Sequence, residues 1–257
     1  MALRETSLRP PPPWLIRWEI LAVFAVSLGA SAVSAVLSLV GSLLQRGSLA
    51  SQQALLVGSL APNHWLDLAM QIVAIAENLA PVFLVLYLMT RSGESPSLIG
   101  LDASQPGRDL GRGVVLAVLI GGAGLGLYFA AFQLDVSLHI VPEALPNVWW
   151  RIPVLLLSAV QNGVLEEVVV LGYLLLRLEQ LGWSPVAAIA CSALLRGTYH
   201  LYQGLGGFLG NAAMGVIFGL LFLRWRRVMP FIIAHSLMDA TAFVGYALLH
   251  GRVSWLP

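Results

Sequence analysis

Glu166 and Glu167 stand side by side in "VQNGVLEEVVVLGYLLLR", residues 160–177, an otherwise apolar run. Further on, "LLRGTYHLYQG" carries Arg196 and His200, and "FIIAHSLMDA" carries His235 and Asp239. Ionisable side chains inside such runs are rare and mostly functional, because a charge at the bilayer centre costs about 3 kcal/mol on insertion scales. His235 and Asp239 are i and i+4 and share a helix face, as do Arg196 and His200. Glu166 and Glu167 point about 100° apart around a helix axis, so they cannot do the same job at the same point. Helical counting puts Glu166 on the face of Asn162 and Tyr173, and Glu167 on the face of Gly163 and Leu171. One can line a cavity while the other meets a partner helix.

Carboxylates beside histidines can hold and activate a water as a general base. Glu166, His200, His235 and Asp239 could equally ligate a divalent metal such as zinc, since His and Asp/Glu are its ordinary ligands. No H-E-x-x-H helix is present, so the usual zincin arrangement is absent. A proton or ion relay is the other chemistry such a set supports. For Glu167 with Arg196 the plain alternative is a structural ion pair. Asn211, near the start of another apolar run, is expected to support the cluster.

These residues need elements to position them, and composition says of what kind. Of 257 residues 58% are hydrophobic and 11% charged, with mean hydropathy +0.82. Soluble domains are about a quarter charged, so this is a membrane composition. The net charge of +1 gives no argument for a nucleic-acid partner. All 14 basic residues are arginine, which fits a GC-rich bacterial genome. The single cysteine, Cys191, excludes an internal disulfide. Apolar runs of bilayer length, roughly 20 residues, fall at about 18–44, 64–90, 111–134, 151–178, 184–203, 207–224 and 229–249. The expected fold is an all-α polytopic membrane protein of about seven helices, with residues 51–62 the first suspect for an eighth. The chain divides into residues 1–150 (an extended, proline-rich tail and three spans), 151–249 (four spans with the cluster) and 250–257 (a short tail). A signal peptide is the rival for the first run, which is too long for one. Ten arginines fall in the segments that would be cytoplasmic with the N-terminus inside, against three outside. That bias predicts the N-terminus in and the C-terminus out. Glu19 and Asp67 are expected at solvated span ends, and Glu77 as a structural or cavity-lining residue.

On these motifs the chain resembles the CPBP intramembrane proteases, which include the type II CAAX prenyl endopeptidases and bacteriocin-processing and immunity relatives. Their pattern is E-E-x-x-x-R on one helix, F-x-x-x-H on the next, and H-x-x-x-N or H-x-x-x-D on a later one. Glu166–Glu167, His200 and His235–Asp239 match in order and spacing, over roughly residues 150–246. The resemblance makes residues 151–249 a CPBP-like catalytic core in a multi-pass protein of the bacterial plasma membrane. It implies an endopeptidase in which Glu166 and His200 activate water and His235, steadied by Asp239, holds the oxyanion. The substrate would be a peptide or another membrane protein. Two positions depart from the pattern: Leu171 replaces the arginine and Arg196 replaces the phenylalanine. We therefore expect a relocated salt bridge from Arg196 to Glu167. The departure also keeps open a non-catalytic binding or immunity protein; a small transporter is a third reading. One obstacle is depth: on these span limits His200 and His235 differ by about 15 Å along the membrane normal.

Overall fold

The computed structural model describes residues 11–252; the expected extended tail at residues 1–10 and the last five residues of the C-terminal tail lie outside them. The apolar runs fold as helices, because in lipid a backbone must satisfy its own polar groups. The elements are α1 (Pro13–Ala25), α2 (Leu28–Leu44), β1 (Gln53–Gly58), α3 (His64–Arg91), α4 (Pro106–Gln133), β2 (His139–Ala144) and α5 (Arg151–Glu166). A π-helical segment (Glu167–Tyr173) then leads into α6 (Leu174–Gln180), followed by α7 (Pro185–Tyr199), α8 (Leu205–Trp225) and α9 (Met229–Leu249). Local sequence sets the boundaries. The Asn63 side chain caps α3 by accepting from the Trp65 and Leu66 amides, and prolines at N1/N2 open α4, α7 and α9, where a missing N–H costs nothing. Helices α1 and α2 meet at a 50° bend, where the Ser27 hydroxyl returns to the Val23 carbonyl.

Among the described residues five helices are long and apolar enough to cross a membrane, or six if the bent α1–α2 pair is one span. The chain is thus a multi-pass membrane protein, but the count of seven needs correcting at α7. Expected over 184–203, α7 has only 15 residues, about 22 Å of helix against a hydrocarbon core of about 30 Å. The suspected eighth span at 51–62 is also corrected. Its apolar stretch is only Ala54–Val57, and Gln53–Gly58 forms a strand paired in parallel with His139–Ala144. A small two-stranded sheet therefore sits on an otherwise helical bundle.

The rod α5–π–α6, Arg151–Gln180, is the most enclosed of the candidate spans. Val168, Val169, Val170 and Leu171 sit in the main hydrophobic core with Phe218, Phe231 and Met89. The two ends of the bundle are built differently. One carries the sheet, the Arg151–Glu143 ion pair and a bridge from Ser137 to Gly204. The other is ionic: Arg177 lies 2.6 Å from Glu94 and 3.6 Å from Glu19, Arg226 lies 2.6 Å from Glu179, and Arg227 lies 2.7 Å from Asp109 and 3.0 Å from Asp102.

Glu19 and Asp67, expected in solvent, are both buried. Each has partners that offset its desolvation: Arg177 for Glu19, and for Asp67 the Ser59 hydroxyl, the Leu60 amide and Gln71. Glu77 is exposed on α3, with no ionic partner among the described residues.

Candidate active site

Glu166 closes α5 and Glu167 opens the wider π-turn. Three consecutive β-branched residues, Val168–Val170, follow directly, and such side chains crowd the preceding turn of a regular helix. A π-turn frees backbone carbonyls from the α pattern, and the Ser192 hydroxyl of α7 donates to the Val170 carbonyl at 3.0 Å, both residues being buried. Gly172 packs so closely that a Cβ there would come within 2.9 Å of Ile99 and Val228 side chains. Such π-turns recur at functional sites.

The two glutamates face different partners. Arg196, fully buried, donates from Nη2 to Glu167 Oε2 at 2.9 Å, and its Nη1 lies 2.8 Å from Glu167 Oε1. The Nη1 contact is ionic only, because it falls off the hydrogen-bond direction. The expected bridge from α7 is therefore present. Leu171, where the family motif has arginine, is packed in the core instead. On its other side Glu167 Oε1 accepts from His235 Nδ1 at 2.7 Å. That contact needs α5 and α9 to touch: at Gly163 a Cβ would meet Ser236 Oγ at 2.5 Å and the Ile232 carbonyl at 3.0 Å.

Glu166 looks toward the end of α7. Its Oε2 accepts from the Tyr199 hydroxyl at 2.7 Å and lies 3.5 Å from Arg196 Nη1. Its Oε1 lies 4.0 Å from His200 Nε2. His200 Nδ1 is 2.9 Å from the Arg196 carbonyl; a carbonyl only accepts, so Nδ1 carries a proton, and in its neutral form His200 presents the Nε2 lone pair to Glu166. The 15 Å depth gap is thus absent. His200 caps a short α7 instead of riding to the far end of a full span, so it meets Glu166 at the level of His235. Ligand atoms of Glu166, Glu167 and His235 lie within 4.8 Å of one another.

His235 Nε2 is 3.8 Å from Asp239 Oδ1, and Asp239 Oδ2 accepts from Asn162 at 2.9 Å. Asn162 in turn accepts from Gln161 at 3.2 Å, and Gln161 from Asn78 of α3 at 3.4 Å. The structure thus gathers Glu166, Glu167, Arg196, His200, His235 and Asp239 into one network. Asn211 stays apart: it donates back to the Gly207 carbonyl and lines a separate cavity of about 270 Å³ between α4 and α8. Tyr173, which α-helical counting puts on the face of Glu166, is the last residue of the π-turn and has Arg177 5.0 Å over its ring. Tyr199, Asn162 and Ser192 were not singled out for roles from sequence. Asn162 lies four residues before Glu166 and Tyr199 lies next to His200, so spacing could have flagged both; nothing local marks Ser192.

A divalent metal fits this donor set poorly. The Arg196 guanidinium lies between the two glutamates, 2.8 Å from one and 3.5 Å from the other. An ion there would meet a fixed positive charge.

The chain matches no curated protein and no solved structure. The family model described as type II CAAX prenyl endopeptidase Rce1-like matches residues 148–241. That segment holds every member of the network except Asn78, and its match supports the CPBP family.

Proposed function

We propose that this protein is an intramembrane endopeptidase that hydrolyses a peptide bond with a water activated between Glu166 and His200. The observation that carries the reading is the 4.0 Å gap between Glu166 Oε1 and His200 Nε2, two acceptors that face each other. One water can donate a hydrogen bond to each. As it attacks the scissile carbonyl, its proton passes to Glu166; collapse of the tetrahedral intermediate expels the amine, which takes that proton. The oxyanion falls to His235 Nε2. Because Nδ1 is committed to Glu167, donation from Nε2 uses the imidazolium form. Asp239, held by Asn162, steadies that ring. Arg196 offsets the charge of Glu167, so three carboxylates can sit together, and the guanidinium favours a route without a metal. The substrate would be a peptide or another membrane protein. The protein would lie in a bacterial plasma membrane with its arginine-rich end cytoplasmic.

Leu171 in place of the motif arginine favoured a non-catalytic relative. Arg196 supplies the missing charge to Glu167, which removes that support. The test is cleavage of candidate membrane peptides by purified protein in vesicles, comparing wild type with Glu166→Gln and His200→Ala. Loss of the base is expected to lower the rate about 10²–10⁴-fold. Equal cleavage by all three proteins ends the assignment.

A further inference from the structure

A second cavity, of about 410 Å³, opens between α2 and the turn that follows α7. Its α2 wall carries Ser31, Ser34 and Ser38, and its other wall carries Tyr199 and Tyr202. The serines are spaced i, i+3 and i+7, so they form a single rail along one side of α2, and all three are exposed. Ala32, Ala35 and Leu39 on the same helix are buried.

Hydroxyls on membrane helices commonly bond back to the preceding turn. Ser27, Thr90, Thr198 and Thr241 do so, each to the carbonyl four residues earlier. Among the described residues Ser31, Ser34 and Ser38 have no side-chain hydrogen bond within the protein, so the rail has hydroxyls to offer a ligand. The opposite wall leads straight to the chemistry. Tyr199 is 5% exposed and donates to Glu166. The His200 ring centroid lies 4.8 Å from that of Tyr199 and 6.3 Å from that of Tyr202.

A peptide bond in a regular helix has its carbonyl engaged and its backbone shielded. Cleavage inside the membrane therefore requires local unwinding, which strands N–H and C=O groups that lipid cannot satisfy. Each costs several kcal/mol in hydrocarbon. A serine hydroxyl both donates and accepts, so it can take either group. The tyrosine rings offer apolar surface for side chains.

We propose that the groove between α2 and the Tyr199–Tyr202 turn docks a locally unwound segment of an apolar peptide, with Ser31, Ser34 and Ser38 pairing to its stranded backbone. That the occupant is the substrate rests on the endopeptidase reading; that the groove selects an unwound peptide does not.

The test uses full-length protein in phosphatidylcholine vesicles, with Cys191→Ala removing the sole native cysteine. Ser34→Cys is compared with Leu37→Cys, a control at 66% exposure that does not line the groove. A water-soluble maleimide reports accessibility. The probes are two leucine–alanine peptides of about 20 residues, enough to span a bilayer, one uninterrupted and one with a central Gly-Pro-Gly break. The Ser34→Cys protein should react faster than the control. The broken peptide at about ten times its Kd should slow that reaction about tenfold, since only the free fraction reacts, and the uninterrupted peptide should slow it far less. Adding Ser31→Leu and Ser38→Leu should abolish the protection, and Ser31→Thr with Ser38→Thr should retain it. Equal protection by both peptides, protection by neither, or equal protection by a free fatty acid overturns the proposal. Repeating the measurement with Glu166→Gln separates the two ideas, because protection needs no hydrolysis.

Discussion

Arg196→Leu is the most informative single change. The arginine is 1% exposed and Glu167 is 0% exposed, with two nitrogen–oxygen contacts at 2.8 and 2.9 Å. Removing it leaves a carboxylate buried in the core with, among the described residues, only His235 Nδ1 as donor. Breaking a buried pair from one side costs about 3–5 kcal/mol. Among the described residues Arg196 Nε has no hydrogen-bond partner, so part of its desolvation is already uncompensated, which favours the lower half of that range. For a chain of this size each kcal/mol moves Tm by about 2–4 °C, so the expected loss is on the order of 6–16 °C. The assay is thermal unfolding in detergent, followed by tryptophan fluorescence. A second variant isolates the cause. Arg196→Phe with Leu171→Arg restores the family pattern and returns a cation to Glu167 from one turn along its own helix. That protein should regain a substantial part of the lost stability, with a favourable coupling between the two positions. Arg196→Leu as stable and as well expressed as wild type would refute the relocated-bridge argument.

Two further outcomes follow from contacts away from the glutamates. Ser192→Ala leaves the buried Val170 carbonyl without its donor, which should cost about 1–3 kcal/mol; it should also slow cleavage by loosening the turn that aims Glu167, and unchanged melting would show that the π-turn does not need this bond. At the ionic end, hydrogen bonds from Ser104 and then Arg227 hold Asp102 at about 2, below its ordinary 3.8. Its folded-state pKa is depressed, so its contribution is fully present above pH 3.8 and is lost as pH falls through about 2. Tm should therefore decline over that window, and less steeply in Asp102→Asn; parallel profiles for the two proteins would contradict this.

The helical fold was legible because runs such as 64–90 and 229–249 are continuous and of helix-spanning length, far longer than a barrel strand needs. The candidate cluster was legible because Glu166, His200 and His235 match the family motifs in order and spacing. Span count was less so: hydropathy registers that residues 184–203 are apolar, but not that the helix stops at Tyr199 and hands His200 to Glu166. Residues 53–58 misled in the same way, since apolar character does not distinguish a short strand paired with residues 139–144 from a span. Burial of Glu19 depends on Arg177, a residue 158 positions away in sequence, and no local pattern records it. The relocated bridge could be anticipated from Leu171 and Arg196, whereas Ser192 depends on a backbone conformation that side-chain spacing does not reveal.

The π-turn also acts as a phase shifter. A helix that remained α throughout would couple the angular position of Glu166 to that of Arg177, eleven residues later. Because the wider turn lies between them, the upper half can aim its glutamates at α7 and α9 while the lower half aims Arg177 at Glu94 and Glu19. Loss of a single residue from Val168–Val170 would force the two halves to compete for one rotation. The geometry of the glutamate network and anchoring at the ionic end, separable as the chain now stands, would then become a single constraint.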